Sequence, residues 1–242
     1  MKYQGAKMSF DVRFKTPCNI ILTGPTQSGK STFIRKLIFW RRLLFAPVPE
    51  KVFYVYAARD PLIDKMIEKG QIHKAIKNLP KDYNTLEKMV TKYKKEGVLL
   101  IVDDGLSQLE KYLPTVFEEL THRANTTILF VSQVMFLNSS LWRRLSLNTH
   151  YMIAFRNKRN SLQIRALASQ FSQCNPRFVS NSFIDATKPK PTIKLDENDE
   201  NSAFGYGYII LNFNPMSPEI LSLVTNILPT DKDPVAVYKE MD

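Results

Sequence analysis

The sequence is poor in the residues that build metal clusters and disulfide frameworks. Its 242 residues include only two cysteines, Cys18 and Cys174, and three histidines, and the cysteines form no C-x-x-C pair. Zinc sites and disulfide frameworks need such residues at short, recurring spacings. We therefore expect no zinc site and no structural disulfide, and we expect Cys18 to act as a small apolar residue at the start of a buried strand.

Long apolar runs are also missing. The apolar stretch from Leu37 to Phe45 is interrupted by Arg41 and Arg42, and no run reaches the roughly 18 apolar residues that a membrane span requires. The first residues, Met1–Gly5, lack the apolar core of a secretory signal. We expect no membrane span, and we expect synthesis in a cytosolic compartment.

Acidic residues are scarce relative to basic ones. The chain has 34 Lys and Arg against 23 Asp and Glu, which gives a net charge of +11 at pH 7. Such an excess favours a polyanionic partner, because each phosphate neutralised by Lys or Arg releases condensed counterions. Charge alone does not choose between DNA, RNA and an acidic membrane surface, and each basic cluster is also explained as a solvated helix face. The clusters considered for contact are Arg35-Lys36, Arg41-Arg42, Arg143-Arg144 and Arg156-Asn157-Lys158-Arg159.

What the sequence does have is a phosphate-loop motif. Residues 24–31 match G-x-x-x-x-G-K-[ST] and lie between an apolar, strand-like stretch and a helix-like stretch. Gly24 and Gly29 allow successive N–H groups to converge on phosphates at the positive end of that helix. Lys30 is predicted to reach the β- and γ-phosphates of ATP, and Ser31 to ligate Mg²⁺. The predicted nucleotide-binding residues are Gly24, Pro25, Thr26, Gln27, Ser28, Gly29, Lys30, Ser31 and Thr32. The alternative, a chance glycine- and serine-rich turn, is disfavoured by the flanking patterns.

A second motif is an apolar run that ends in two carboxylates. Val98–Val102 is typical of a strand buried on both faces of a parallel sheet, and Asp103 and Asp104 follow it. Active sites of open α/β sheets lie at the carboxyl ends of strands, so these acids are expected to meet the phosphate loop. Asp103 is predicted to hold Mg²⁺ through water, and Asp104 to orient or deprotonate the attacking water. The alternative is that both acids merely end the strand and cap the next helix.

A third polar residue follows another strand-like run. Gln133 comes directly after Thr126–Ser132, level with the two acids if the strands are parallel. Its neutral amide can hydrogen-bond a γ-phosphate oxygen or the attacking water without adding charge to the site.

Strand-like and helix-like stretches alternate along most of the chain. This order predicts an α/β fold with a mainly parallel central sheet flanked by helices, the architecture of a P-loop NTPase. One polar helical stretch is predicted over residues 60–96, and a last strand over 204–213. The predicted partition is an ATPase core at 1–186, a flexible polar loop at 187–203, and a C-terminal strand and extension at 204–242 that complete the same domain.

Taken together, the motifs resemble the FtsK–HerA superfamily of P-loop ATPases, and within it the poxvirus-type genome-packaging ATPases of large DNA viruses, virophages and Maverick/Polinton elements. The segment His122–Gln133 looks like that family's arginine, strand and sensor-glutamine segment. Phe155–Arg159, with the helix after it, looks like the family's next strand and helix. Phe183–Thr187 and Gly205–Leu211 resemble its C-terminal pattern. Asp104 stands where many relatives have the longer glutamate.

The resemblance implies a RecA/HerA-like ATPase that needs ATP and Mg²⁺. It implies a homo-oligomeric ring, a hexamer, that encircles double-stranded DNA and drives it into a preformed viral capsid through a portal-like vertex. The implied place of action is the cytoplasm or nucleus of a host cell, with association with the virion as an alternative. The implied catalytic residues are Lys30, Asp104, Gln133 and, supplied to the neighbouring subunit, Arg123. The candidates for DNA contact are Arg143, Arg144, Arg156, Lys158 and Arg159, of which Arg143, Arg144 and Arg156 are also the reserve candidates for the arginine in trans.

Three other functions compete with genome packaging. A cellular or plasmid HerA-like DNA translocase would share the site and the ring. An ATP-dependent DNA-binding switch or assembly factor would bind ATP with little hydrolysis, which the paired acids and Gln133 disfavour. A small-molecule kinase would use the same loop, but the sequence shows no acceptor-binding lid and its positive charge fits a polynucleotide better.

Overall fold

The computed structural model describes residues 10–57, 61–103, 115–133, 140–157, 161–170, 175–189, 207–231 and 233–240. The strands are β1 (Phe14–Lys15), β2 (Asn19–Thr23), β3 (Phe45–Ala46), β4 (Lys51–Tyr56), β5 (Lys74–Lys77), β6 (Val98–Asp103), β7 (Thr126–Ser132), β8 (Tyr151–Phe155), β9 (Tyr208–Asn212), β10 (Leu223–Thr225) and β11 (Ala236–Val237). The helices are α1 (Lys30–Phe39), α2 (Arg41–Leu44), α3 (Pro61–Glu68), α4 (Tyr83–Thr91), α5 (Thr121–Arg123), α6 (Ser140–Leu147), α7 (Ser161–Gln170) and α8 (Pro176–Ala186). A π-helical turn, Val116–Leu120, runs into α5. Within these ranges, no helix has the length and hydrophobicity for crossing a membrane.

Nine of the described strands form one sheet in the order β11-β10-β9-β8-β2-β7-β6-β4-β5, and β1 and β3 form a separate parallel pair. Six neighbouring strands, β8, β2, β7, β6, β4 and β5, run parallel to one another. Beyond β8, the strands β9, β10 and β11 are each antiparallel to the strand before them. The carboxyl ends of β2, β7, β6 and β4 therefore share one edge of the sheet, the carboxyl edge, and their amino ends share the opposite one, the amino edge. This arrangement confirms the predicted mainly parallel α/β sheet.

The central strands are buried on both faces because alternate side chains enter two separate cores. Ile21 and Leu100 pack on one face, with apolar residues of α4, the π turn and α6 to α8. Ile20 and Ile101 pack on the other face, with residues of α1 and α3. Helices thus cover both faces, as a sheet of continuous apolar strands requires.

The structure corrects the predicted helical stretch at 60–96. That segment is helix α3, strand β5 and helix α4, and β5 is the edge strand of the sheet next to β4. Its sequence, Lys74-Ala75-Ile76-Lys77, hides the strand because exposed lysines stand at both ends. Charged residues are typical of edge strands, where they discourage pairing with other chains. The strand predicted over 204–213 is found as β9, but the prediction that it is the last strand is wrong, because β10 and β11 follow it.

At the amino edge, His150 and His73 each add one backbone hydrogen bond to the parallel ladder and accept a second hydrogen bond with the imidazole ring. The N–H of Asn19 donates to His150 Nδ1 at 3.1 Å, while the N–H of His150 donates to the Asn19 carbonyl at 2.9 Å. The N–H of Val52 donates to His73 Nδ1 at 3.2 Å, and the N–H of His73 donates to the Val52 carbonyl at 2.9 Å. An imidazole can accept such a bond only when its Nδ1 carries no proton, so both histidines must be neutral here.

These neutral histidines predict a loss of stability in mild acid. Burial lowers the pKa of His150, with a smaller effect of His122, and burial lowers the pKa of His73, with help from Lys51 and Arg41. The unfolded chain takes up these protons near its ordinary histidine pKa of about 6.5, whereas the folded chain takes them up only at lower pH. The free energy of unfolding should therefore fall as the pH drops below about 6.5 toward the folded pKa values.

Urea unfolding at about pH 7.5 and about pH 5.5 measures this loss. The double variant His73→Asn/His150→Asn keeps an acceptor oxygen but removes the titration, so its free energy of unfolding should change much less between the two pH values. An equal fall in both proteins would contradict the assignment.

Candidate nucleotide-binding site

The phosphate loop begins where β2 ends, at the carboxyl edge. The N–H of Gly24 donates to the carbonyl of Ser132, the last residue of β7, at 3.2 Å, which fixes the start of the loop to the neighbouring strand. Gly29 has φ 98°, a left-handed conformation that suits glycine, and α1 begins at the next residue. The loop therefore leads directly into the amino-terminal end of α1, where the helix dipole is positive and an anion can bind.

Lys30 is folded back onto the loop. Its Nζ donates to the carbonyl oxygens of Gly24 and Pro25, at 2.6 and 2.8 Å. These bonds hold the ammonium group at the mouth of the loop. A bound triphosphate can compete for the same ammonium, because charged phosphate oxygens accept stronger hydrogen bonds than neutral carbonyls.

The base of the loop leaves no room for a side chain at Gly24. A Cβ built there would lie 2.7 Å from Phe155 Cβ and 2.7 Å from Ser28 Oγ. Phe155 is itself fixed by an edge-on contact with Phe33 of α1, with ring centroids 5.9 Å apart. The Ser28 hydroxyl is buried and has no hydrogen-bond partner among the described residues. The glycine is thus required by packing of the loop against β8.

Asp103 lies at the end of β6 and is oriented by a tyrosine from the next strand. The hydroxyl of Tyr54 donates to Asp103 Oδ2 at 2.5 Å. In the register of the two strands, Tyr54 pairs with Ile101 and Tyr56 with Asp103. The Tyr54 side chain therefore reaches along the sheet toward the carboxyl edge to meet the acid.

Gln133 lies directly after β7, the strand between β2 and β6. The Thr26 hydroxyl donates to Gln133 Oε1 at 3.4 Å, so the amide contacts the phosphate loop. Because Thr23 pairs with Ser132 and Val102 with Phe130, the ends of the three strands are level. The loop, Gln133 and Asp103 thus lie at the ends of three adjacent strands on the carboxyl edge, and their roles stay predictions. Asp104 lies outside the described residues.

The oxygen groups at this edge fit Mg²⁺. Ser31 is exposed in the first turn of α1, and Asp103 offers a carboxylate held by Tyr54. Throughout the described ranges, no group of three His, Cys, Asp or Glu side chains could hold a metal ion by itself. Mg²⁺ does not need such a group, because it binds through one or two protein oxygens, several waters and the phosphates of the substrate.

Arg123 lies away from this site, at the opposite edge of the sheet. Two residues separate it from the start of β7, and a seven-residue strand spans about 23 Å, so Arg123 cannot reach the phosphate loop of its own chain. It forms an ion pair with Glu119 at 3.0 Å, and its side chain remains 66% exposed. The Tyr83 hydroxyl also donates to Glu119, at 3.1 Å, and burial followed by this carboxylate raises the pKa of Tyr83. The role of Arg123 in a neighbouring subunit stays a prediction.

The candidates for DNA contact have different surroundings. Arg144 forms a bidentate pair with Glu118, with nitrogen to oxygen distances of 2.9 to 3.2 Å. Arg156 directly follows β8 at the carboxyl edge and is partly exposed. The Arg143 side chain, Lys158 and Arg159 lie outside the described residues. All five assignments stay predictions.

Solved structures similar to this chain include a viral NTPase and a secretion ATPase, both at low sequence identity. They include the genome packaging NTPase B204 from Sulfolobus turreted icosahedral virus 2 in complex with AMPPCP, at 13% identity and a TM-score of 0.45, over 93% of this chain and 98% of that one. They also include the cytoplasmic domain of the Type VII secretion ATPase EccC from Thermomonospora curvata, at 16% identity and a TM-score of 0.47, over 78% of this chain. This chain covers 24% of the EccC chain. No protein-family model and no curated protein matches the sequence.

The order of elements and the geometry of the loop agree on one fold class. The fold is that of a P-loop NTPase. Its phosphate loop follows a central parallel strand, and an acid and an amide stand at the ends of the neighbouring strands.

Tyr54 is the residue of this P-loop NTPase site that sequence reasoning missed. The local signal is weak, because a tyrosine in an aromatic, β-branched strand is an ordinary core residue. Its contact with Asp103 follows only once β4 is known to pair with β6. The order of strands in the sheet is therefore the information that the sequence lacked.

Replacing Tyr54 by phenylalanine is expected to weaken Mg²⁺ use. The variant keeps the ring but loses the hydroxyl that orients the Asp103 carboxylate. Losing a group that orients a metal ligand costs about 10- to 100-fold in metal affinity or activity. ATP turnover measured against Mg²⁺ concentration should show a higher Mg²⁺ requirement. Tyr238→Phe is a matched control, because the Tyr238 hydroxyl donates to Asp185 at 3.0 Å in α8, away from the loop. Equal Mg²⁺ requirements in all three proteins would contradict the role of Tyr54.

Proposed function

We propose that the protein is an ATP-driven translocase of double-stranded DNA that packages a viral genome into a preformed capsid. The ATPase part is supported by the position of the phosphate loop, Gln133 and Asp103 at the ends of three adjacent strands, with Lys30 hydrogen-bonded to the loop. The DNA part is supported by the net charge of +11 and by the resemblance of the motifs to packaging ATPases. The proposal implies a capsid or portal-like vertex as partner, and action in the cytoplasm or nucleus of the host cell.

In the proposed reaction the chain binds the triphosphate through the loop. Backbone N–H groups of residues 29–31, at the positive end of α1, hold the phosphate oxygens, and Lys30 exchanges the two loop carbonyls for the β- and γ-phosphates. Ser31 and Asp103 are the residues that would hold Mg²⁺. When bound, the ion neutralises charge on the β- and γ-phosphate oxygens.

Hydrolysis then needs a positioned water. Gln133 orients the water by a hydrogen bond from its place beside the loop, and Asp104 accepts the proton that the water loses as its oxygen attacks the γ-phosphorus. The bond from the γ-phosphorus to the bridging oxygen breaks, and ADP keeps that oxygen. Loss of the γ-phosphate frees Lys30 to return to the loop carbonyls, which is a local change that hydrolysis can transmit to the neighbouring elements.

A homo-oligomeric ring, a hexamer, completes the proposed site. Arg123 stands at the amino edge, far from the phosphate loop of its own chain, so it can act only on the nucleotide of another subunit. There it would stabilise the charge that develops on the transferred phosphoryl group, as arginine fingers do. Reaching that position requires Arg123 to leave Glu119, an exposed pair whose loss costs about 1 kcal/mol or less.

Displacement of a triplex-forming oligonucleotide from duplex DNA tests translocation directly. A motor moving along the duplex should strip the third strand in an ATP-dependent manner, and Lys30→Ala should not. ATP hydrolysis without displacement would contradict translocation by the chain, and would favour the DNA-binding switch or assembly factor. Addition of capsids should raise the rate for a packaging motor, whereas a cellular or plasmid HerA-like translocase should not respond.

A further inference from the structure

A group of basic side chains lies at the amino edge of β4, β5 and β6, opposite the nucleotide site. We call it the basic edge, and it consists of Arg41, Arg42, Lys51 and Lys92, arranged around His73 and Tyr93. Lys51 is the first residue of β4, and His73 immediately precedes β5. Backbone bonds join these segments: the N–H of Lys51 donates to the Gly97 carbonyl at 3.1 Å, and the N–H of Gly97 donates to the Tyr93 carbonyl at 3.0 Å.

Two lysines converge on one rigid ring. The ammonium groups of Lys51 and Lys92 lie 5.7 and 5.6 Å from the centroid of the Tyr93 ring. That ring is held by an edge-on contact with buried Phe53, with centroids 5.5 Å apart. The two ammonium groups are therefore no more than about 11 Å apart, close to the Debye length of about 10 Å at moderate salt. They are positioned before any partner arrives.

The arginines continue the same surface. Arg42 Nη2 lies 3.5 Å from Glu50 Oε2, and Glu50 directly precedes Lys51 in the chain. Arg41 Nη1 donates to the Ile38 carbonyl at 3.3 Å, which ties its guanidinium to the end of α1. Burial, and then Lys51 and Arg41, lower the pKa of His73, while Glu50 opposes them. The positive charges of Lys51 and Arg41 therefore outweigh the negative charge of Glu50 at the His73 imidazole.

We propose that the basic edge binds the phosphodiester backbone of duplex DNA. Cations held near one another repel at low salt, and a polyanion with one charge per about 1.7 Å of axis relieves that repulsion and releases counterions. Arg42 and Lys92 are exposed, and Arg41 and Lys51 are partly exposed, so their charged groups can meet phosphate oxygens. Binding should therefore depend strongly on salt and little on base sequence.

This inference rests on the proposed function for the choice of DNA as the polyanion. The basic edge includes the Arg41-Arg42 cluster noted in the sequence and adds Lys51 and Lys92, which lie over a tyrosine ring. It does not include Arg144, which is paired with Glu118. It also gives a role to Lys92, which directly follows α4 and which the nucleotide site does not use.

Binding of a fluorescent duplex, followed by anisotropy without nucleotide, tests the inference. The variant Lys51→Gln/Lys92→Gln removes two charges and keeps much of each side chain. It should bind roughly tenfold more weakly at low salt, and its slope of log affinity against log salt should fall by about 2. The variant Lys188→Gln/Lys239→Gln removes the same charge from exposed positions that are not part of the basic edge and should bind as wild type does. Equal binding by both double variants would overturn the inference.

Separate measurements of DNA binding and ATP turnover distinguish failure of the basic-edge proposal from failure of the proposed function. All measurements are repeated in the Lys30→Ala background, where DNA binding at the basic edge should persist although ATP turnover is lost. Wild type that binds no duplex would overturn both proposals, whereas wild-type binding that the Lys51 and Lys92 changes leave intact overturns only this one. Poly-glutamate or anionic vesicles that displace the duplex at equal charge concentration would overturn the choice of DNA.

Two histidines provide an internal reporter that does not depend on affinity. Duplex DNA at the basic edge should raise the NMR-measured pKa of His73, because phosphates offset the Lys51 and Arg41 charges, and should leave that of His150 unchanged. Arg42→Gln serves as a second, milder variant and should weaken binding without changing the thermal midpoint by more than a few degrees. A duplex that shifts both histidines equally, or neither, would contradict the location.

Discussion

Lys30→Ala is expected to abolish ATP turnover while leaving the fold intact. Its ammonium donates to the Gly24 and Pro25 carbonyls, and without it the loop keeps its backbone tie to Ser132. Removal of a group that stabilises charge in the transition state lowers kcat by about 10²- to 10³-fold. Because the same ammonium is predicted to bind the ground-state β- and γ-phosphates, the affinity for ATP should fall as well.

Steady-state ATP hydrolysis and binding of a fluorescent ATP analogue measure the two losses separately. Lys188→Ala, an exposed lysine paired with Asp185, is the control and should match wild type. Turnover by Lys30→Ala within a few-fold of wild type would contradict the assignment of residues 24–31 as the phosphate-binding loop.

Gly207→Ala is expected to cause a larger loss of stability than alanine at an unobstructed glycine. A Cβ at position 207 would lie 2.0 Å from the carbonyl oxygen of Ala186 and 3.2 Å from the Cα of Thr187. Both are backbone atoms at the end of α8, so no side chain can rotate away. The overlap requires β9 and α8 to separate, and we expect at least about 3 kcal/mol of destabilisation, the upper range for overpacking.

Gly70→Ala separates this clash from an effect of glycine itself. Gly70 has φ +66°, and a Cβ at this position would have nothing within 4 Å, so alanine there meets only the strain of a left-handed conformation. That strain is about 1–2 kcal/mol. Urea unfolding should therefore rank the proteins as wild type, Gly70→Ala, then Gly207→Ala, and the reverse order of the two variants would contradict the packing.

The phosphate loop could be predicted because its chemistry is contiguous. Eight successive residues carry the backbone conformations, the ammonium and the hydroxyl, so no knowledge of distant contacts is needed. The positions of Asp103 and Gln133 on one edge of the sheet could be predicted for a related reason. Each stands at the end of an apolar strand, and parallel strands have their carboxyl ends on the same edge.

Features that depend on strand order could not be predicted. Tyr54 reaches Asp103 only because β4 lies beside β6, and His73 meets Val52 only because β5 adds to the edge of β4. The two lysines of β5 also hid that strand within a polar segment, because their exposure on an edge resembles that of a helix surface. Local sequence patterns indicate which face of the sheet a side chain lies on, whereas its contacts across strands depend on the order of all strands in the sheet.

The distance of Arg123 from the phosphate loop of its own chain also could not be predicted from the sequence alone. The sequence gives its distance along the chain from Gln133, and the structure adds that β7 separates the two across the sheet. A site within one chain is thereby excluded for Arg123, and what it contacts in an assembly depends on a second copy of the chain.

ATP turnover measured across protein concentration, with and without double-stranded DNA, shows whether the protein is a DNA-stimulated ATPase completed between subunits. We expect turnover per chain that rises as rings assemble, rises further with DNA, and is lost in both Lys30→Ala and Arg123→Ala. Mixing these two inactive variants should restore about a quarter of the activity, since one in four randomly formed interfaces pairs an intact Lys30 with an intact Arg123. Turnover that is independent of concentration and of DNA, with Arg123→Ala as active as wild type, would contradict this expectation.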